Sequence, residues 1–254
     1  MRHGFSLVEL SIVLVILGLL TGGILAGQSL IRAAELRKLS TEYGRNITAF
    51  NTFRDKYFAI PGDFREATRF WGRMTATADC TSSAGISSAT ATGSCDGDNN
   101  GQIWDGAAAN QSSERFQMWR QLALAGLLEG TYSGQAGSGG LNDHQPATNC
   151  PKAPVGQGCW SVLFRGVITD TAGSLFVGNY GNAMGFLQGT GGAPIISPEE
   201  MWNLDTKLDD GLPAKGRVWS NPVCTNATNA GDTNATYQLT SKSLICTPQF
   251  INAL

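Results

Sequence analysis

No charged residue occurs between Leu10 and Ile31. That stretch amounts to about 22 residues, or ~33 Å as a helix, enough to cross a bilayer. One carboxylate, Glu9, stands at its mouth, behind a short leader in which Arg2 and His3 precede Gly4 and Phe5. A secretory signal avoids an acid at that point, and an ordinary spanning helix has no use for one. A charge costs about 2.5–3.5 kcal/mol at the bilayer centre and less near its edge, so it marks a specific partner.

The chain can supply that partner itself. Cleavage after Gly4 makes Phe5 the new N-terminus, and its amine is largely protonated at neutral pH. Glu9 lies one helical turn further on. Two such helices in staggered register can pair the Glu9 of one with the Phe5 amine of the next. At ~4 Å and an effective dielectric of ~20 the attraction is about 4 kcal/mol before desolvation. A pair of this kind sets register more than it adds net stability. The alternative is that Glu9 only complements the helix N-terminal dipole, worth about 0.3–1 kcal/mol.

Gly4-Phe5-Ser6-Leu7-Val8-Glu9-Leu10 with its apolar continuation resembles the class III signal of type IV pilins and type II secretion pseudopilins. The resemblance implies cleavage between Gly4 and Phe5 by a membrane prepilin peptidase, N-methylation of Phe5, and a role for Glu9 in docking into a growing filament. It implies other pilin or pseudopilin subunits, an inner-membrane assembly platform and membrane lipid as partners. The expected fold is α+β and pilin-like: a long N-terminal helix, its first half transmembrane, packed on an antiparallel sheet with short helices and disulfide-stapled loops. The expected divisions are a leader at 1–4, a membrane or filament-core helix at 5–31, its amphipathic continuation at 32–60, and a periplasmic head at 61–254. Softer resemblances to larger pseudopilin-like proteins run through Tyr57–Phe64, Glu114–Tyr132 and Asp205–Pro213.

The chain of 254 residues carries a net charge of −2 with its basic residues scattered, so no nucleic-acid partner is expected. Cys80, Cys95, Cys150, Cys159, Cys224 and Cys246 are even in number, form no CxxC and have too few histidines for a zinc site. They favour disulfides made in an oxidising compartment such as the periplasm, with nearest neighbours expected to pair: Cys80–Cys95, Cys150–Cys159 and Cys224–Cys246. Free buried thiols are the alternative. One signal opposes a periplasmic head. Arg32, Arg37, Lys38 and Arg45 follow the apolar span and only Arg2 and His3 precede it, which by the positive-inside count places the head in the cytoplasm.

Leu36, Leu39, Tyr43, Ile47, Phe50, Phe53 and Tyr57 recur every three or four residues, so the helix continues past the membrane with one apolar face until Ile60-Pro61-Gly62-Asp63 stops it. A short helix is expected over 63–71 and an amphipathic one over 112–128. Strands are expected at 160–167, 175–177, 183–188, 217–220 and 237–246. Ser197-Pro198-Glu199-Glu200 has the form of a capping box and opens a helix to about Leu208. Asp205, Asp209 and Asp210 read either as a metal cluster or as turn and cap residues before Gly211.

The strongest candidate for chemistry is the run from Asp96 to Asp105. Asp96, Asp98, Asn100, the Gln102 carbonyl and Asp105 place oxygens at nearly alternate positions around a turning Gly101, resembling the first part of a calcium loop. Ca²⁺ is therefore the expected cofactor. Where an EF-hand has its bidentate Glu, this chain has Ala107, and Glu114 at the start of the next helix is the substitute. A metal-free Asx-rich turn is the competing reading. No Gly-x-Ser-x-Gly elbow, HExxH or phosphate loop occurs, so no enzyme is expected. The expected function is structural, as a pseudopilin or minor pilin of a pilus-like or type II secretion filament. The runner-up is a calcium-binding adhesin or lectin-like protein, and a secreted hydrolase ranks behind it.

Overall fold

The computed structural model describes residues 7–74, 92–103, 114–138, 143–189, 191–192 and 194–253. Helix α1 runs unbroken from Leu7 to Tyr57. Every large apolar side chain from Leu7 to Ile31 is exposed, and the helix is long and apolar enough to cross a membrane. Its few hydroxyls are satisfied within the helix: Ser11 donates to the Val8 carbonyl at 2.9 Å, Thr21 to Leu17 at 2.8 Å and Ser29 to Ala26 at 2.8 Å. Back-bonding of this kind lets polar side chains sit in an apolar surround.

Burial begins at Leu39. Leu39, Phe50 and Phe53 are in the core, with Leu36, Tyr43, Ile47 and Tyr57 packed partly against it, so the 3.6-residue stripe faces the head as its periodicity requires. The helix stops at Tyr57, short of Ile60, where Phe58 turns into the left-handed region with φ +54°.

The head is α+β. After α2 (Ala67–Trp71) and α3 (Glu114–Leu124) come β1 (Cys159–Ile168), β2 (Gly178–Gln188), the two-residue β3 (Gly191–Gly192), α4 (Pro198–Leu208), β4 (Val218–Trp219) and β5 (Gln249–Phe250). All pairings are antiparallel in the order β1-β2-β5-β4, with β3 added to β2. The stripe of α1 lies on this sheet. Tyr43 stacks on Phe250 with centroids 4.0 Å apart, and the Trp160 indole N–H donates to Glu42 at 2.9 Å.

Two expected strands are absent. Leu175–Val177 is a loop that buries Phe176, and 237–246 forms no ladder, its strand-type pairing limited to isolated bridges at Tyr237 and Cys246. In that second segment side chains replace a ladder: Asn221 donates to the Ile245 carbonyl at 2.9 Å and accepts from the Thr247 N–H at 3.0 Å. Disulfides Cys150–Cys159 and Cys224–Cys246 form as nearest neighbours. The expected pair with Cys80 lies outside the described residues.

Candidate functional site

Glu9 sits exposed in the first turn of α1, at the head of the apolar band; Gly4 and Phe5 lie outside the described residues. At the other end of that band a polar clasp fixes the helix to the head. Arg32 grips Glu200 with two bonds, Nε to Oε1 at 2.6 Å and Nη2 to Oε2 at 2.8 Å, and reaches the Ile195 carbonyl at 3.1 Å. Glu200 also closes the capping box of α4 by accepting from the Ser197 N–H at 2.8 Å. Burial raises the Glu200 carboxyl, but Arg32 and Ser197 outweigh it and hold the group below its ordinary value. Further along, Lys38 meets Glu42 at 3.6 Å and Arg45 meets Glu129 at 3.3 Å. Arg32, Lys38 and Arg45 thus have structural work as partners of carboxylates, a use that the positive-inside count does not see.

The acidic loop is assembled from three separate segments. Gly97 packs so closely that a Cβ there would lie 2.4 Å from the Asp63 backbone, and one at Gly62 (φ +93°) would lie 2.5 Å from the Glu114 carbonyl. Those absences of side chain let the loop and the start of α3 close on Asp63. One oxygen each of Asp63, Asp98 and Glu114 then falls within 4.8 Å of the others. Asp63 is buried, accepting from the Asn100 N–H at 3.1 Å and the Gly101 N–H at 2.8 Å. Burial pushes its carboxyl up from the ordinary value against those N–H bonds, and Asp98 adds to the rise. Asp98 accepts from both the backbone and side-chain N–H groups of Asn100, at 3.1 and 2.8 Å, and Asn100 Oδ1 accepts from the Gln102 N–H at 2.7 Å.

Of the five positions expected to bind metal, the structure brings Asp98 into the carboxylate cluster, with Asn100 bonded to it. Asp96 points elsewhere: it accepts from the Thr68 N–H at 2.7 Å and the Thr68 hydroxyl at 2.9 Å, steadying the start of α2. The Gln102 side of the loop follows the Asn100 turn, and Asp105 lies outside the described residues. Asp63 was readable only as a helix stop, because its partners are more than thirty residues away. Glu114, offered by the sequence as a substitute ligand, lies beside Asp63 and Asp98 in this cluster.

The second acidic group, Asp205, Asp209 and Asp210, likewise brings one oxygen of each within 4.8 Å of the others, and its members also serve turns and caps. Asp205 accepts from the Tyr237 hydroxyl at 2.6 Å and the Gly211 N–H at 3.2 Å; Asp209 accepts from Val218 N–H at 3.1 Å, and Asp210 from Leu212 N–H at 2.9 Å. Burial pushes Asp205 up to about 7. Its folded form holds a proton that the unfolded chain gives up near pH 4, so stability is greatest at acid pH and falls between roughly pH 4 and 7. The melting temperature of the wild type is expected to drop from pH 5 to pH 8, and D205N to flatten that slope. A slope unchanged in D205N assigns the pH dependence to another group.

His144 is buried with both ring nitrogens engaged, Nε2 with the Ser161 hydroxyl at 2.9 Å and Nδ1 with the Gly189 carbonyl at 3.2 Å, and its ring packs on Phe116. The pair satisfies polar groups within the core.

Compared with known families, residues 1–25 match the prokaryotic N-terminal methylation motif. No curated protein and no solved structure gives a significant match.

Proposed function

We propose, from the premise that this chain carries the N-terminal methylation signature of type IV pilins and pseudopilins, that it is a structural subunit of a pilus-like or type II secretion filament, a pseudopilin or minor pilin. The observation that carries the reading is the unbroken α1, whose apolar first half is exposed while its second half is locked to the head. Such a helix suits storage in the inner membrane and later packing among copies of itself. Two disulfides support a head in the periplasm. Prepilin peptidase cuts before Phe5, and Glu9 docks on the Phe5 amine of a neighbouring subunit. The test is the intact mass and N-terminal sequence of the protein recovered from its native membrane. A chain beginning at Phe5 with one added methyl supports the reading; one beginning near Ala26, or an intact Met1, overturns it.

Within that role the cluster of Asp63, Asp98 and Glu114 is assigned to a structural Ca²⁺. Three carboxylates are the hard donors this ion takes, and a cation offsets their mutual repulsion. Chelation with EGTA is expected to lower the melting temperature of the wild type and leave D98N unaffected. An unchanged wild-type melting temperature favours the metal-free Asx turn.

A further inference from the structure

The antiparallel sheet has two faces, and α1 takes one of them. Trp160, Phe186 and Phe250 pack together on that side, where Tyr43 of α1 stacks on Phe250. Side chains alternate along a strand, so Ser161, Leu163, Leu187 and Gln249 belong to the opposite face. There a cavity of about 500 Å³ opens, lined by Leu163, Arg165, Leu187 and Gln249 of the sheet, by Arg115 of α3 and by Thr247. Its size is that of a site for a small molecule.

The frame of the cavity is fixed by bonds that leave some of its polar groups unused. The Cys224–Cys246 disulfide ties down the segment that carries Thr247. Asn221, also in the wall, donates to the Ile245 carbonyl at 2.9 Å and accepts from the Thr247 N–H at 3.0 Å. His144 engages Ser161 and Gly189 with its two ring nitrogens. Gln249 is different. It is 4% exposed, and its carboxamide lies over Gly185, where a Cβ would come within 2.6 Å of Nε2. Among the described residues none hydrogen-bonds to that carboxamide or to the Thr247 hydroxyl. A polar side chain buried to this degree ordinarily has a partner.

The charge of the wall is one-sided. Arg115 is 3% exposed and Arg165 half-buried, and among the described residues no carboxylate lines the cavity. We propose that this cavity binds an acidic monosaccharide, its carboxylate on Arg165, its hydroxyls on Gln249 and Thr247, and its C–H surface against Leu163 and Leu187. A guanidinium has five N–H donors, so Arg165 can serve a ligand beside its interactions within the fold, and its planar fork matches a carboxylate. The charge of Arg115, held in a low-dielectric wall, adds to the attraction. A carboxamide and a hydroxyl each donate and accept, as sugar hydroxyls do. A free amino acid fits less well, because its ammonium meets no carboxylate among the described residues of the wall. The proposal does not depend on which filament the chain joins, or on whether it joins one.

The test is isothermal titration calorimetry of the full-length protein in detergent with D-glucuronate, D-galacturonate and N-acetylneuraminate, beside their methyl esters and inorganic phosphate. At least one of the three acids is expected to bind with a Kd of about 1 mM or tighter. Its methyl ester, which lacks the charge, and the variant R165Q are each expected to bind at least about tenfold more weakly. Q249M keeps the length of the side chain and removes the carboxamide. It is expected to weaken binding about three- to tenfold with the melting temperature unchanged, and it decides the matter should R165Q fail to fold. Absence of binding by all three acids overturns the proposal. So does an ester that binds as tightly as its acid, an affinity that Q249M leaves unchanged, or phosphate binding as tight as that of the acids, which indicates a site for any small anion.

Discussion

E9Q is expected to be cleaved normally and yet to enter filaments at least tenfold less efficiently than the wild type. The substitution keeps the size and helical preference of the side chain and removes its charge. In the staggered arrangement the Phe5 amine, still cationic after methylation, then enters an apolar bundle without its counter-ion. Removing one partner of a buried pair costs about 3–5 kcal/mol, because the remaining charge is left desolvated. If Glu9 serves only the helix dipole, the loss is about 0.3–1 kcal/mol, which changes incorporation less than tenfold. The two roles therefore differ in magnitude. Quantifying the variant in sheared or purified filaments, beside its processed form in the membrane, separates them. Normal incorporation sinks the register role and leaves the dipole.

The parts of this fold that were legible in the sequence are those whose cause is local. The stripe of α1 follows from helical periodicity, the start of α4 from Ser197-Pro198-Glu199-Glu200, and most of β1 and the end of β2 from the strand-like runs at 160–167 and 183–188. The Cys150–Cys159 and Cys224–Cys246 pairs follow from short loops. What was not legible depends on distant partners. β5 is only Gln249–Phe250 and exists because Met184 on one side and Val218 on the other offer it ladders. The run from Tyr237 to Cys246 has strand-like composition but is held by Asn221 and by Cys224. Asp63 joins the acidic cluster because two glycines let three segments approach, a relation that no spacing rule in one segment expresses.

The same distinction explains the conflict over topology. Counted along the chain, Arg32, Lys38 and Arg45 are a positive flank to a membrane span. In the fold they are the partners of Glu200, Glu42 and Glu129. Arg32 in particular couples the end of the apolar band to the capping box of α4, so a carboxylate that fixes a helix start also fixes the long helix that carries the apolar band.

Polar clasps and apolar seam do not contribute equally to holding α1 on the head. F50A is expected to destabilise the protein by about 3–5 kcal/mol, the usual cost of removing a fully buried aromatic side chain. Phe50 is buried between α1 and α3, its ring 5.8 Å from that of Trp119, and its loss opens a cavity that two rigid helices cannot close. R32A removes charge-assisted bonds at a half-exposed site and is expected to cost no more than about 2 kcal/mol. Urea unfolding of the full-length protein in detergent, followed through the buried Trp119 and Trp160, compares the two directly. A larger loss for F50A makes the apolar face of α1 the principal tie, with Arg32 setting where along the helix the head begins. The reverse order makes the clasp the principal tie, and the stripe that the sequence displays so plainly is then secondary.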